Sequence, residues 1–227
     1  MNIDKLIEAI EEHIIAHVER DKDATPLMHV ARSFDINSPG TLPKDLKGGV
    51  LGGSLIQGTF HVGDEIEIVP GIKTEVGGKE VYQRITTKIT SLFAGGKSVK
   101  SINPGGLISI GTSLDPSITK SDGLTGRMIG VPGHLPMVVH DFTMKTTLLD
   151  RVVGSTSDLK VDEIKSNEPL MLSIGTATTV GVVKNGKGGS IQVALKIPVC
   201  VVEGQRVAIS RRISNKWRLI GYGIVEL

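Results

Sequence analysis

Gly96-Lys97-Ser98 carries the three residue types with which a phosphate-binding loop ends. Such a loop also needs a glycine five residues before Gly96, where this chain has Ser91, and a helix immediately after it to present N–H groups to the phosphates. Val99 onward reads instead as strand and turn, so the segment is predicted to be a hairpin turn. Asp45-Leu-Lys-Gly48 matches the short Asp-x-x-Gly pattern of GTPases, a pattern common enough to arise by chance, and Asn215-Lys216 is followed by Trp-Arg rather than x-Asp. The residues therefore give no guanine-nucleotide site. His13 and His17 stand four apart on a helical stretch, the spacing of two metal ligands, but no Glu follows His13 and no third ligand is evident. Two solvated histidines are the plainer account, and His29, His61, His134 and His140 show no ligand spacing either. No Gly-x-Ser-x-Gly nucleophile motif occurs. The chain is expected to have no catalytic residue and no metal site, and not to act as an enzyme by itself.

Basic residues concentrate near the end: Arg206, Arg211, Arg212, Lys216 and Arg218. Along a strand, Arg206 and Arg212 share one face and Arg211 takes the other, so they cannot all address one phosphate backbone. Charged barrel rims and an RNA or protein contact both account for them.

The elements that would position such residues are mostly strands. The chain has 227 residues, with 26 Lys+Arg against 24 Asp+Glu, a balance too even to mark a nucleic-acid binder by charge alone. Aromatics make up 3%, which speaks against a base-stacking platform. One cysteine, Cys200, excludes an internal disulfide and a Cys-rich zinc site, and fits a reducing compartment. No apolar run approaches the roughly 18 residues of a membrane span, and the acidic start is unlike a signal peptide, so a cytoplasmic protein is expected. Ile3, Leu6, Ile7, Ile10 and Ile14 recur at helical spacing, with Glu8, Glu11 and Glu12 opposite. From Leu27 the period changes to two: 28–34, 54–62, 65–69 and 85–93 alternate apolar with polar. Gly63-Asp64, Pro70-Gly71, Gly77-Gly78, Gly95-Gly96 and Asn103–Gly106 punctuate them as turns. After the Pro- and Gly-rich stretch 131–136, a second series of strands begins. The predicted fold is all-β: two consecutive antiparallel β-barrels preceded by one short α-helix. The division is 1–23 for the helix and linker, 24–134 for the first barrel and 135–227 for the second.

Several long runs then become specific. Lys47–Gly71, KGGVLGGSLIQGTFHVGDEIEIVPG, resembles the second domain of translational GTPases related to elongation factor Tu. Together with Arg32–Gly40, Pro104–Pro116, Leu148–Gly154 and Trp217–Gly223, in that order, it is similar to the gamma-subunit family of archaeal and eukaryotic translation initiation factor 2. The selenocysteine-specific elongation factor shares the second-domain pattern, whereas the segments Arg32–Asp35 and Trp217–Gly221 favour the initiation factor.

The resemblance covers nearly the whole chain and implies the family's second and third domains, with the GTP-binding domain missing and the first helix as that domain's last. Ile15–Asp21 departs from the proline-containing linker usual there. GTP and magnesium would then belong to the missing domain, leaving this chain without a cofactor. The implied partners are initiator methionyl-tRNA, the alpha subunit of the same factor and the small ribosomal subunit; the beta subunit mainly uses the GTP-binding domain and is not expected to bind. By resemblance, Lys47, Gly48, Val50, Gly106 and Ile108 fall where related factors receive the terminal adenosine of tRNA, although each also suits a hairpin or barrel core. The loop from Asp35 through Asn37, Pro39 and Lys44 to Asp45 is longer than a hairpin needs and is expected to dock the alpha subunit. Arg211, Arg212, Lys216 and Arg218 are candidates for RNA contact. A scaffold of paired barrels without RNA binding is the alternative, as is an enzyme completed by a GTP-binding domain supplied in trans.

Overall fold

A computed structural model describes residues 2–13, 20–154, 159–187 and 189–227. The first helix, α1 (Ile3–His13), is amphipathic as the spacing predicts, yet none of its residues is buried. Ile14 and His17, part of the same sequence pattern, lie outside the described residues.

Nine strands follow before the linker: β1 (Leu27–Phe34), β2 (Val50–Gln57), β3 (Phe60–His61), β4 (Glu65–Val76), β5 (Lys79–Ala94), β6 (Lys97–Val99), β7 (Ser101–Ile102), β8 (Ile108–Thr112) and β9 (Met128–Gly130). Six of them close a ring in the order β4-β9-β1-β2-β8-β5, with β4 pairing β5 to complete it. β6 hangs on β5 as a short hairpin, and β3 pairs β7 outside the ring. Alternation places one side chain in two inside the ring. Met28, Val30, Leu51, Leu55, Ile66, Ile68, Ile89, Leu92 and Ile110 form its core with Phe60 and Leu124.

The second ring runs β10 (Val138–Leu148), β13 (Ser190–Cys200), β12 (Ala177–Lys187), β11 (Pro169–Ile174), β14 (Arg206–Ile213) and β15 (Lys216–Glu226), and closes β15 on β10. Leu170, Leu172, Val183, Val193, Val207, Ile209, Ile220 and Val225 fill it. All its strand pairs are antiparallel, as are those of the first ring. The predicted fold class, two antiparallel barrels after one helix, is the fold observed.

Two local readings are corrected. The run 54–62 is broken at Gly58, whose φ is +74° and where a Cβ would lie 2.4 Å from the Pro26 backbone, so β2 ends and β3 starts anew. Pro70-Gly71 is no turn between strands. It is a bulge within β4, where Val69–Gly71 oppose Arg84 alone, and β4 and β5 continue beyond it as a hairpin arm to Gly77-Gly78.

A small apolar seam joins the two rings: Val69 and Met128 meet Cys200, flanked by Leu27, Leu135 and Val138. Burial there pushes the Cys200 thiol up to about 12. Beside the seam, buried Glu67 accepts from the Arg84 guanidinium at 3.4 Å and from the Gly133 N–H of the linker at 3.2 Å.

Candidate functional site

The segment Lys47–Gly49 leads into β2, and β8 runs antiparallel beside it with Val50 opposite Gly111. The two chains are knitted together beyond the ladder. Gly49 N–H donates to the Leu114 carbonyl at 3.0 Å, and the Thr112 N–H and hydroxyl both donate to the Gly49 carbonyl, at 3.0 and 2.7 Å. The Thr112 hydroxyl in turn accepts from Leu114 N–H at 3.2 Å. This closeness explains Gly48: a Cβ there would sit 1.9 Å from the Thr112 carbonyl oxygen.

Above this wall stands the loop that follows β1. Asp35 accepts from the Asn37 backbone N–H at 2.8 Å and from its Nδ2 at 2.7 Å. Asn37 Nδ2 also donates to the Lys47 carbonyl at 2.8 Å, while Lys47 N–H donates to Asn37 Oδ1 at 2.7 Å. Residues 38–46 are thereby cinched into a closed loop, stiffened by a single turn at Pro43–Asp45 and carrying exposed Leu42 and Leu46, with exposed Ile36 just before it.

Between loop and wall lies an open cleft of about 680 Å³. Ile36, Leu46 and Phe93 give it an apolar side, Gly48, Gly111 and Thr112 a close-packed backbone side, and Lys47 a cation. Lys47 is exposed, and among the described residues its ammonium group has no ion-pair partner. Asp115 is the carboxylate of the lining. It caps the short helix α2 (Pro116–Thr119), and hydrogen bonding to Ser117 holds its carboxyl below the usual carboxylate range.

Of the five residues expected to receive a terminal nucleoside, Lys47, Gly48 and Val50 come together at this cleft. Ile108 is buried in the core of the first barrel, and Gly106 lies in the turn before β8, at the far end of that strand from Gly111. The strand β8 does reach the cleft, but through Gly111 and Thr112. Thr90, Ser91, Phe93 and residues 111–116 were not singled out by sequence; the available signal was Gly111, a glycine inside a strand pattern, which marks close approach. Among the docking-loop residues, Asp35 and Asn37 build the loop's base, whereas Pro39, Lys44 and Asp45 stand on its exposed part.

The terminal basic cluster separates. Arg211 pairs with Leu170 on β11 and so follows the inward face; it binds Glu168 with both Nε and Nη2 and donates to the Asp162 and Glu163 carbonyls at 3.0 Å. Its guanidinium is thereby engaged within the fold. Arg212 donates to Asn215 Oδ1 at 3.2 Å, Lys216 is exposed, and the Arg218 guanidinium lies over Gly154. Arg206 stacks over the Tyr222 ring at 4.4 Å. Gly95 and Gly96 form the β5–β6 turn, and Lys97-Ser98 continue into strand rather than helix. Among the described residues no cluster of His, Cys, Asp and Glu could hold a metal ion, and no helix is long and apolar enough to cross a membrane.

Residues 140–225 match the family described as Initiation factor eIF2 gamma, C terminal. The chain is 56% identical over 225 residues to translation initiation factor 2 subunit gamma of Methanocaldococcus jannaschii, covering 99% of this chain and 54% of that protein. It is 54% identical to the same subunit of Methanothermobacter thermautotrophicus over 225 residues, and 54% identical to that of Archaeoglobus fulgidus over 226. Those alignments cover 99% and 100% of this chain, and 55% and 52% of the respective relatives. The chain thus spans about half the length of the curated relatives it matches.

Proposed function

The chain is a homologue of the gamma subunit of translation initiation factor 2, and from that premise we propose that its cleft holds the aminoacylated 3′ end of initiator methionyl-tRNA while the cinched loop docks the alpha subunit. The observation that carries the first part is the cleft's make-up. A base can lie against Ile36, Leu46 and Phe93 while its polar edge meets main-chain groups of the Gly48–Thr112 wall, and Lys47 supplies charge beside it. Glycine at 48 and 111 lets backbone, not side chain, form that wall.

The loop supports the second part. It is closed by its own hydrogen bonds, so its apolar Leu42 and Leu46 are held out at 57% and 44% exposure without being buried by this chain. GTP binding and hydrolysis, and contacts with the beta subunit, are assigned to residues outside these 227; contact with the small ribosomal subunit is assigned to the assembled factor.

Calorimetric titration tests the reading. The chain should bind the isolated C-terminal domain of the alpha subunit one to one, and replacement of residues 35–45 by a short Gly-Ser loop should abolish the heat. A methionylated acceptor minihelix should bind with steep salt dependence. Salt-insensitive behaviour with no RNA affinity would instead identify a scaffold.

A further inference from the structure

The two barrels touch at a second place besides the apolar seam. On β1, alternation sends Met28 and Val30 into the first core and turns Leu27 and His29 outward, toward the second barrel. Leu27 flanks the seam, whereas His29 lies against Gly175 of the β11–β12 turn. The approach is close from both sides. A Cβ on Gly175 would stand 2.9 Å from the His29 ring. A Cβ on Gly126, whose N–H donates to the Val30 carbonyl at 2.9 Å, would stand 2.9 Å from Ala177 Cα. At neither glycine is there room for a side chain between the barrels.

This second contact is polar and poorly satisfied. Among the described residues neither His29 ring nitrogen has a hydrogen-bond partner, and the hydroxyl of Thr176, next to Gly175, is buried without one. Polar atoms shut in without partners weigh against a contact, and parting the barrels here would hydrate them. Charged groups offer no compensation. β2 and β9 carry none, and neither does 169–183, the stretch that includes β11 and the turn. Arg127, just before β9, donates to the Gly71 carbonyl at 2.8 Å and lies over the Tyr82 ring. Arg32, further along β1, is bound to Asp122 at 2.9 Å, and Arg206, at the start of β14, stacks on Tyr222. Burial alone holds the His29 imidazole below its ordinary range.

We propose that this contact is a pH-gated joint: neutral His29 lets the barrels lie together at the β11–β12 turn, and a charged imidazolium parts them there while the apolar seam holds as the hinge. A cation at this place is stripped of water and given no carboxylate, so it favours the open arrangement. The joint is most tightly shut above about pH 6.5, the ordinary imidazole value. Below it the open share grows by at most about tenfold per pH unit, as one proton is taken up. Glu67, which accepts from the linker at Gly133, lies beside the seam and stays with the hinge. Opening moves the cleft of the first barrel relative to Arg212, Lys216 and Arg218 on the second.

Residual dipolar couplings, measured on the full 227-residue chain with isotopic labelling, provide the test. At about pH 7.5 the couplings of both barrels should fit one alignment tensor. At about pH 5, on the acid side of an imidazole, each barrel should still fit its own structure while the two require separate tensors. The change should follow the titration of the His29 imidazole resonances. His29→Gln, neutral throughout, should keep one shared tensor at both pH values. A shared tensor in wild type at about pH 5, or separate tensors in His29→Gln at that pH, would overturn the joint. So would couplings that no longer fit within a barrel, since they would report unfolding in place of parting.

Discussion

Asn37 and Lys47, ten positions apart, are paired like residues of neighbouring strands: the Asn37 carboxamide donates to the Lys47 carbonyl at 2.8 Å and accepts from its N–H at 2.7 Å. A side chain thus substitutes for a backbone ladder and fixes the loop between them. Leu46 of this loop and Ile36 just before it line the cleft, so in the proposed function partner docking and nucleic-acid binding share a wall.

Replacing Asn37 should therefore affect both. Asn37→Ala is expected to cost about 1 kcal/mol of stability, because the bonds are exposed, but to loosen residues 38–46 markedly. Amide exchange across 38–47 should accelerate and alpha-subunit affinity should fall, while exchange in the second barrel stays as in wild type. Unchanged exchange in the loop would show that the clasp does not hold it.

Gly48 and Gly106 should respond differently to alanine. At Gly48 the added carbon meets a carbonyl oxygen at 1.9 Å, so Gly48→Ala is expected to cost about 3 kcal/mol and to distort the cleft. At Gly106, φ is +71° but nothing lies within 4 Å, and the cost is the left-handed penalty of about 1 kcal/mol. Urea denaturation of the two variants gives the comparison.

Glu168 and Arg211 are 16% and 17% exposed, and removing one strands the other. Glu168→Ala should destabilise by about 3 kcal/mol, whereas Arg212→Ala, an exposed change, should stay within about 0.5 kcal/mol. If Arg211 were an RNA contact, Arg211→Met would reduce the salt slope of minihelix binding; the expectation is an unaltered slope with lowered thermal stability.

His29 lies on β1 against the β11–β12 turn, where a Cβ on Gly175 would come within 2.9 Å of its ring, and burial holds its pKa below 6.5. The unfolded chain then takes up a proton at a higher pH than the native one. Stability is full above about pH 6.5 and declines as pH falls through that value, levelling once the native imidazole also charges. His29→Gln should remove this share of the pH dependence, measured by denaturant titration between pH 8 and 5. An identical slope in variant and wild type would exclude His29 as its source.

How much of this was legible beforehand depends on the range of the interaction. Alternation is local and showed β1, β2, β4 and β5 of the first ring, whereas β8 and the three-residue β9 were not among the alternating runs. Pro70-Gly71 looked like a turn because those residues also serve bulges, and only the pairing of β4 with β5 distinguishes the two. Within the run 47–50, Lys47, Gly48 and Val50 line the cleft. Ile108 could not be told from a wall residue, since its place in the core depends on its pairing with Gly53. The Arg211–Glu168 pair spans 43 positions, so charge density near the end suggested a surface where the fold uses one arginine internally.

The first ring is closed by a strand of three residues. Met128–Gly130 pairs with both β1 and β4, and each ring completes its hydrogen bonding within its own half of the chain. During synthesis, the first barrel therefore remains an open sheet with two unsatisfied edges until residue 130 clears the exit tunnel, and can then shut before any strand of the second has emerged. A nascent chain stalled a few residues earlier would be sticky, and one stalled a few residues later would not: the shortest strand of the ring sets the moment at which the barrel becomes safe from aggregation.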